Sequence, residues 1–233
     1  MLDISVIISV IGGVYMKLMC PSMMCSSRWD CIRDEVEELD KAGIDIFHMD
    51  IMDGELLPNF TLGINDLKAV RKNTSKRIDV HLMMKNPLNK VQWFIDAGAD
   101  IIYIHPESET FVIKTLQHIQ DQGRFSGIAI SPDWSIDMVS ELLPFCDYVL
   151  VMTVNPGFAG QKYIDTMTKK VEKLVKLKEE YGYKVMIDGG CSEEVIKRLS
   201  AVGADGFILG TSVLFNKSED YGTIIKRLKE ETK

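Results

Sequence analysis

Eight short runs rich in apolar and β-branched residues recur along the chain, and longer stretches with helical periodicity lie between them. The strand-like runs fall at 18–21, 46–50, 78–83, 101–105, 126–130, 148–152, 184–187 and 206–209. The helical stretches include 29–41, 89–97, 111–122, 136–143, 167–181 and 193–201. Strict alternation of strand and helix imposes parallel pairing, because each crossover helix returns the chain to start the next strand in the same direction.

A weak internal repeat supports the count. The turns AGID (42–45), AGAD (97–100) and VGAD (202–205) place Gly43, Gly98 and Gly203 just past a helix, where a left-handed residue is wanted before the next strand. Their spacings are close to two and four units of about 27 residues, which is also one eighth of the chain from Lys17 onward. Equal βα units of this number predict an α/β fold, a (β/α)8 TIM barrel, as a single catalytic domain over 16–233, with its site at the carboxyl ends of the strands. Residues 1–15 are apolar but carry Asp3 and have no basic start, which argues against a signal peptide. Gly12 and Gly13 can be encoded by a ribosome-binding sequence suitably placed before Met16. Translation is therefore expected to begin at Met16, leaving 1–15 as a non-native leader; the other reading is an extension packed on the barrel floor.

Composition narrows the partners. The chain has 233 residues, 46% hydrophobic, with a formal net charge of −7. That balance excludes disorder and argues against a nucleic-acid binder, which relies on clustered Lys and Arg. It leaves room for a small anionic metabolite held at a local site. Five scattered cysteines without a CxxC pair read as reduced thiols of a cytoplasmic protein. No apolar run approaches the roughly 20 residues that span a bilayer, so no membrane partner is expected.

The chemistry concentrates in HMDIMDG, 48–54. Side chains alternate along a strand, so His48, Asp50 and Met52 share one face. The next strand repeats the device with Asp79 and His81, and Asp188 ends the seventh strand. His48, Asp50, His81 and Asp188 converge at one barrel mouth as a set suited to Zn, Mn, Fe or Co. Asp79 reads as a residue that orients a neighbour or caps a loop, and His105 and His118 as hydrogen-bonded structural histidines. Glycine-rich loops follow the last three strands: NPGFAGQ (155–161), DGG (188–190) and GTS (210–212). Glycine lets backbone N–H groups approach an anion, and GTS is expected to open a helix whose amino end attracts one. A phosphorylated substrate whose other end reaches a metal is implied. Met52, Met83 and Met152 read first as core filling and second as a shield that keeps water from an intermediate.

The motifs HMDIMDGELLPNFTLG, DVHLMMKNP, VMTVNPGFAGQ, IDGG and GTS resemble, in order and across 17–230, the ribulose-phosphate 3-epimerase family. The resemblance implies a (β/α)8 barrel, a divalent metal, and inversion at C3 of a ketose phosphate through an enediolate. It implies His48, Asp50, His81 and Asp188 as metal ligands and Asp50 and Asp188 as the acid/base pair. Ser22 and His81 are implied as substrate contacts, with Gly157, Phe158, Ala159, Gly160, Gly189, Gly190, Gly210 and Thr211 holding the phosphate. A homo-oligomer is implied as well. GFAGQ with Ala159, GTSVLFN at 210–216, and the Met-Cys of PSMMC resemble the D-allulose-6-phosphate 3-epimerase branch more than the ribulose-5-phosphate branch. The expected substrate is therefore D-allulose 6-phosphate, with D-ribulose 5-phosphate as the alternative. A phosphosugar sensor would not need both carboxylates, and a related barrel lyase would be expected to show a catalytic Lys between acids at a strand end.

Overall fold

The computed structural model describes residues 16–233. The leader expected over 1–15 lies outside the described residues. Eight strands follow one another: β1 Leu18–Pro21, β2 Ile46–Met52, β3 Arg77–Met83, β4 Ile101–Ile104, β5 Phe125–Ile130, β6 Tyr148–Met152, β7 Lys184–Asp188 and β8 Gly206–Leu209. All ladders are parallel, in the order β1-β8-β7-β6-β5-β4-β3-β2. The ends of this sheet meet through a parallel bridge between Ser22 and His48 and a 2.9 Å bond from Asp45 N–H to the Met19 carbonyl. The result is the expected (β/α)8 barrel. The helices are α1 Ile32–Lys41, α2 Ile64–Lys72, α3 Val91–Asp96, α4 Val112–Asp121, α5 Met167–Tyr181, α6 Glu193–Val202 and α7 Tyr221–Glu231. Among the described residues no helix is long and apolar enough to cross a membrane.

One crossover departs from the reading of the sequence. No α-helix forms over 136–143; a 3₁₀ segment, Ser140–Phe145, links β5 to β6 instead. Pro144 lies inside it, and a proline removes a backbone donor and disfavours the α conformation of the residue before it. Upstream, the Met138 N–H binds both the carbonyl and hydroxyl of Ser135, and the Ser140 hydroxyl binds the Asp137 carbonyl, so local turns satisfy the backbone. The helices α2 and α7, after β2 and β8, fill the positions that equal βα units require. Asp220 caps α7 by accepting the Thr223 N–H at 2.9 Å.

Apolar residues form two cores. Inside the barrel lie Cys20, Ile46, Ile101, Tyr103, Ala129, Tyr148, Leu150, Met186 and Ile208. Between strands and helices lies the larger one, which includes Phe47, Met49, Val80, Leu82, Leu174 and Phe207. The Tyr103 ring fills the barrel so closely that a Cβ on Gly127 would sit 2.6 Å from it, which explains a glycine in mid-strand.

The floor of the barrel carries a fourfold device. Asp45, Asp100, Asp147 and Asp205 each precede an even-numbered strand. Their carboxylates accept the backbone N–H of Met19, Ile78, Ser126 and Val185 on the preceding odd strand, at 2.8, 3.0, 2.9 and 2.8 Å. Each aspartate N–H is returned to the carbonyl of that same residue. Lys229 pairs with Asp45, Arg71 and Arg124 with Asp100, and Lys178 with Asp205. The repeated unit is thus a βαβ pair closed by aspartate. Gly43, Gly98 and Gly203 do adopt left-handed φ values of 84°, 103° and 112° before three of the four. Asp100→Ala strips the acceptor from a strand N–H and from two arginines. We expect it to destabilise the fold by about 2–3 kcal/mol in urea titration, against about 0.5 kcal/mol or less for Asp96→Ala on the exposed face of α3.

Candidate metal centre and substrate cavity

The pairing of β2 with β3 sets the site. His48 lies opposite Asp79, Asp50 opposite His81 and Met52 opposite Met83. Across the mouth, Asp188 at the end of β7 lies opposite Met152 on β6. His48, Asp50, His81 and Asp188 each offer one donor atom within 4.8 Å of all the others. His48 Nε2 is 3.2 Å from Asp50 Oδ1 and 4.0 Å from Asp188 Oδ2. His81 Nδ1 is 3.3 Å from Asp50 Oδ1 and 3.6 Å from Asp188 Oδ2. Donors that share one ion at about 2.0–2.2 Å stand roughly 3–4 Å apart, so the four atoms have the spacing of a ligand set.

The outward atoms of these side chains are held as a metal site requires. Asp79 Oδ1 lies 2.5 Å from His48 Nδ1, leaving Nε2 for the centre. His81 Nε2 lies 2.8 Å from His105 Nε2. Ser22 donates its hydroxyl to Asp50 Oδ2 at 2.7 Å, and Thr61 donates to the Asp50 carbonyl. The electrostatics are those of a buried group with surplus negative charge. Burial, and then the charge of Asp50, push Asp188 up to about 7. Asp50 is itself held well below the usual carboxylate range, because contacts with His48 and His81 overcome its burial. His48 is raised, the charges of Asp79 and Asp50 outweighing burial, whereas burial lowers His81 to about 4. A divalent cation would cancel the excess charge, and the donor set fits one.

The cavity beside this group is lined by Ser22, Asp50, Asp188, Met52, Met83 and Met152, and by Gly157, Phe158, Ala159, Gly160, Gly189, Gly190, Gly210 and Thr211. Every residue read from the sequence as a site residue is therefore gathered here except His48 and His81. Both are fully buried behind Asp50 and Asp188, in the donor group itself. Asn155, Gln161 and Ser212, within the glycine-rich loops, share the wall, as do Cys25 and Cys191, to which the sequence gives no contact role. Gly189 and Gly190 have φ values of 113° and 63°, and a Cβ on Gly190 would stand 2.5 Å from the Tyr163 nitrogen. Only glycine lets the chain pack this closely here while its backbone borders the cavity. GTS does not open a helix. The N–H groups of Val213, Leu214 and Phe215 fold back on the Gly210 carbonyl, and Asn216, at φ 59°, ends the turn before α7 begins at Tyr221.

Residues 18–214 match the sequence pattern of the ribulose-phosphate 3 epimerase family. The chain belongs to that family. It is 36% identical over 200 residues to the ribulose-phosphate 3-epimerase of Aquifex aeolicus, spanning 85% of this chain and 90% of that one. The Methanocaldococcus jannaschii enzyme of the same name is 37% identical over 203 residues, covering 85% and 84%. Among solved structures, 3-hexulose-6-phosphate synthase superposes with a TM-score of 0.68 at 15% identity, over 93% of this chain and 99% of that one. A 3-keto-L-gulonate-6-phosphate decarboxylase from Vibrio cholerae gives 0.69 at 12%, over 93% and 97%. These two share the barrel. Family membership makes the chain a carbohydrate epimerase, an isomerase, with a divalent metal as cofactor.

Because Asp188 titrates at about 7 and His48 above its ordinary range, metal uptake below neutrality must displace protons. We expect Zn²⁺ affinity, measured by chelator competition, to weaken by about tenfold or more per unit as pH falls from 7 to 5.5. The same affinity across that range would contradict the assignment of these shifts. In the metal-free protein the Asp188 shift acts the other way. A carboxyl held above its unfolded value loses its contribution to stability as pH rises from about 4 toward about 7.

Proposed function

We propose that this chain is a metal-dependent ketose-phosphate 3-epimerase that interconverts D-ribulose 5-phosphate and D-xylulose 5-phosphate. The observation that carries the reaction is the pair of buried carboxylates, Asp50 on β2 and Asp188 at the end of β7, that share one donor group and face one cavity. Inversion at C3 requires a base on one face of the sugar carbon and an acid on the other. Two carboxylates at one cavity, one ionised and one protonated, meet both needs.

In this reading His48, Asp50, His81 and Asp188 hold the metal. When bound, the ion supplies Lewis-acid stabilisation to the negative oxygens of the enediolate, worth several kcal/mol. The ionised carboxylate takes the proton from C3 and the protonated one returns a proton from the opposite side. Which does which depends on the epimer that enters. The Ser22 hydroxyl fixes Asp50 by holding its second oxygen. Met52, Met83 and Met152 wall the reacting carbon with apolar sulfur and keep bulk water from the carbanion. The phosphate takes the glycine-rich corner formed by the loops at 157–160, 189–190 and 210–211, where backbone amides can approach it.

Relatives at 34 to 37% identity over most of their length carry the ribulose-phosphate name, and they favour the pentulose over the D-allulose 6-phosphate expected from Ala159 and GTSVLFN. Ala159 adds only a methyl group at the wall, and one methyl discriminates by about 1–3 kcal/mol at most. We expect kcat/KM for D-ribulose 5-phosphate to exceed that for D-allulose 6-phosphate by at least about tenfold. The reverse order would restore the hexulose reading. Asp188→Asn should lower kcat by about 10³-fold with an unchanged circular dichroism spectrum; near-normal turnover would remove Asp188 from the chemistry.

A further inference from the structure

Behind His81 lies a second buried chain of polar groups that the epimerisation does not itself use. His81 Nε2 is 2.8 Å from His105 Nε2. His105 Nδ1 is 3.2 Å from Glu107 Oε1 and 3.2 Å from the Ser131 hydroxyl, which donates to the same Glu107 oxygen at 2.6 Å. His105 follows β4, Glu107 lies in the 3₁₀ turn Pro106–Ser108, and Ser131 follows β5, so adjacent strand ends build the chain. His105, Glu107 and Ser131 all border a second cavity of about 280 Å³, although His105 itself is fully buried.

The direction of these hydrogen bonds is constrained. On the reading above, His81 turns the lone pair of Nδ1 toward the donor group, so its single proton sits on Nε2 and is donated to His105. His105 must then accept at Nε2 and carry its own proton at Nδ1. That proton needs an acceptor, and a carboxylate can only accept. Remove the carboxylate and only the Ser131 hydroxyl faces Nδ1; freed from Glu107, it can donate to that atom as well as accept from it, so His105 is free to place its proton on Nε2. Two N–H groups would then face each other across 2.8 Å, and His81 would relieve the clash by moving its proton to Nδ1, the atom needed at the centre.

We infer that Glu107, acting through His105, is a positioning residue that fixes the tautomer and ring orientation of His81, as Asp79 does directly for His48. This inference rests on the proposal that His81 is a metal ligand. Each imidazole of the site thus has a carboxylate behind it, one in contact and one a histidine away.

The direct test needs no variant. In long-range ¹H–¹⁵N spectra of the Zn²⁺-loaded protein, His105 is expected as the Nδ1–H tautomer and His81 as the Nε2–H tautomer; the opposite tautomer at His105 overturns the inference. The second test is Zn²⁺ affinity by chelator competition, with unfolding midpoints measured alongside. Glu107→Ala should weaken binding by about 10–100-fold, and Glu107→Gln, which keeps the acceptor oxygen, should stay within about fivefold of the parent. A residue that merely props up the fold would lower the unfolding midpoint in both variants and spare affinity in both. Equal Zn²⁺ affinity in Glu107→Ala and the parent overturns the inference and leaves the metal site standing. A parent protein that takes up no Zn²⁺ overturns both.

Discussion

The register of β2 on β3 is the constraint on which everything at the barrel mouth depends. Phe47, Met49 and Ile51 on one strand and Ile78, Val80 and Leu82 on the other are all buried against the helices. These six residues force the intervening positions inward, and those positions are His48, Asp50 and Met52 beside Asp79, His81 and Met83. A slip of one residue in either strand would drive its two ionisable groups into an apolar layer, so the outer core defines the site without touching it. Opposite pairing then does the rest. It sets Asp79 against the outer nitrogen of His48 and brings His81 beside Asp50.

A cluster of this kind strains the fold that holds it. Asp50, Asp79 and Asp188 share the inside of one barrel, where each opposes the ionisation of the next. The barrel meets this cost at the other end of the strands. There Asp45, Asp100, Asp147 and Asp205 carry local partners and tie each odd strand to the even strand after it. The two ends use the same side chain for opposite purposes. At the floor each aspartate takes donors from the strand it ties, and at the mouth Asp188 is held among other carboxylates that oppose its ionisation.

The sequence makes the strands legible because β-branched runs of four to seven residues have few other fates, and their alternation with helical stretches decides parallel pairing. The metal donors are legible for the same reason, since a His and an Asp two apart in an otherwise apolar strand must face inward together. What escapes is set by contacts distant in sequence. Nothing in SPDW shows that Ser131 meets Glu107 from the next strand, and His105 looks like any hydrogen-bonded histidine until His81 is seen against it. The segment 136–143 misleads because its apolar spacing suits a helix, while Pro144 and the Ser135 and Ser140 hydroxyls impose turns. GTS misleads in a similar way: its turn closes on Gly210 and never reaches α7. Asp147 was hidden because its turn lacks the glycine that marks the other three.

The central claim is that two buried carboxylates exchange the C3 proton of a ketose phosphate from opposite faces. Incubating the metal-loaded protein with D-ribulose 5-phosphate in ²H₂O and following the C3 signal by ¹H NMR tests it most directly. Deuterium should enter at C3 of both epimers at a rate that tracks turnover, and C1 should stay protonated. Epimerisation with no solvent deuterium at C3, or a C3 position that neither exchanges nor inverts, would contradict the account.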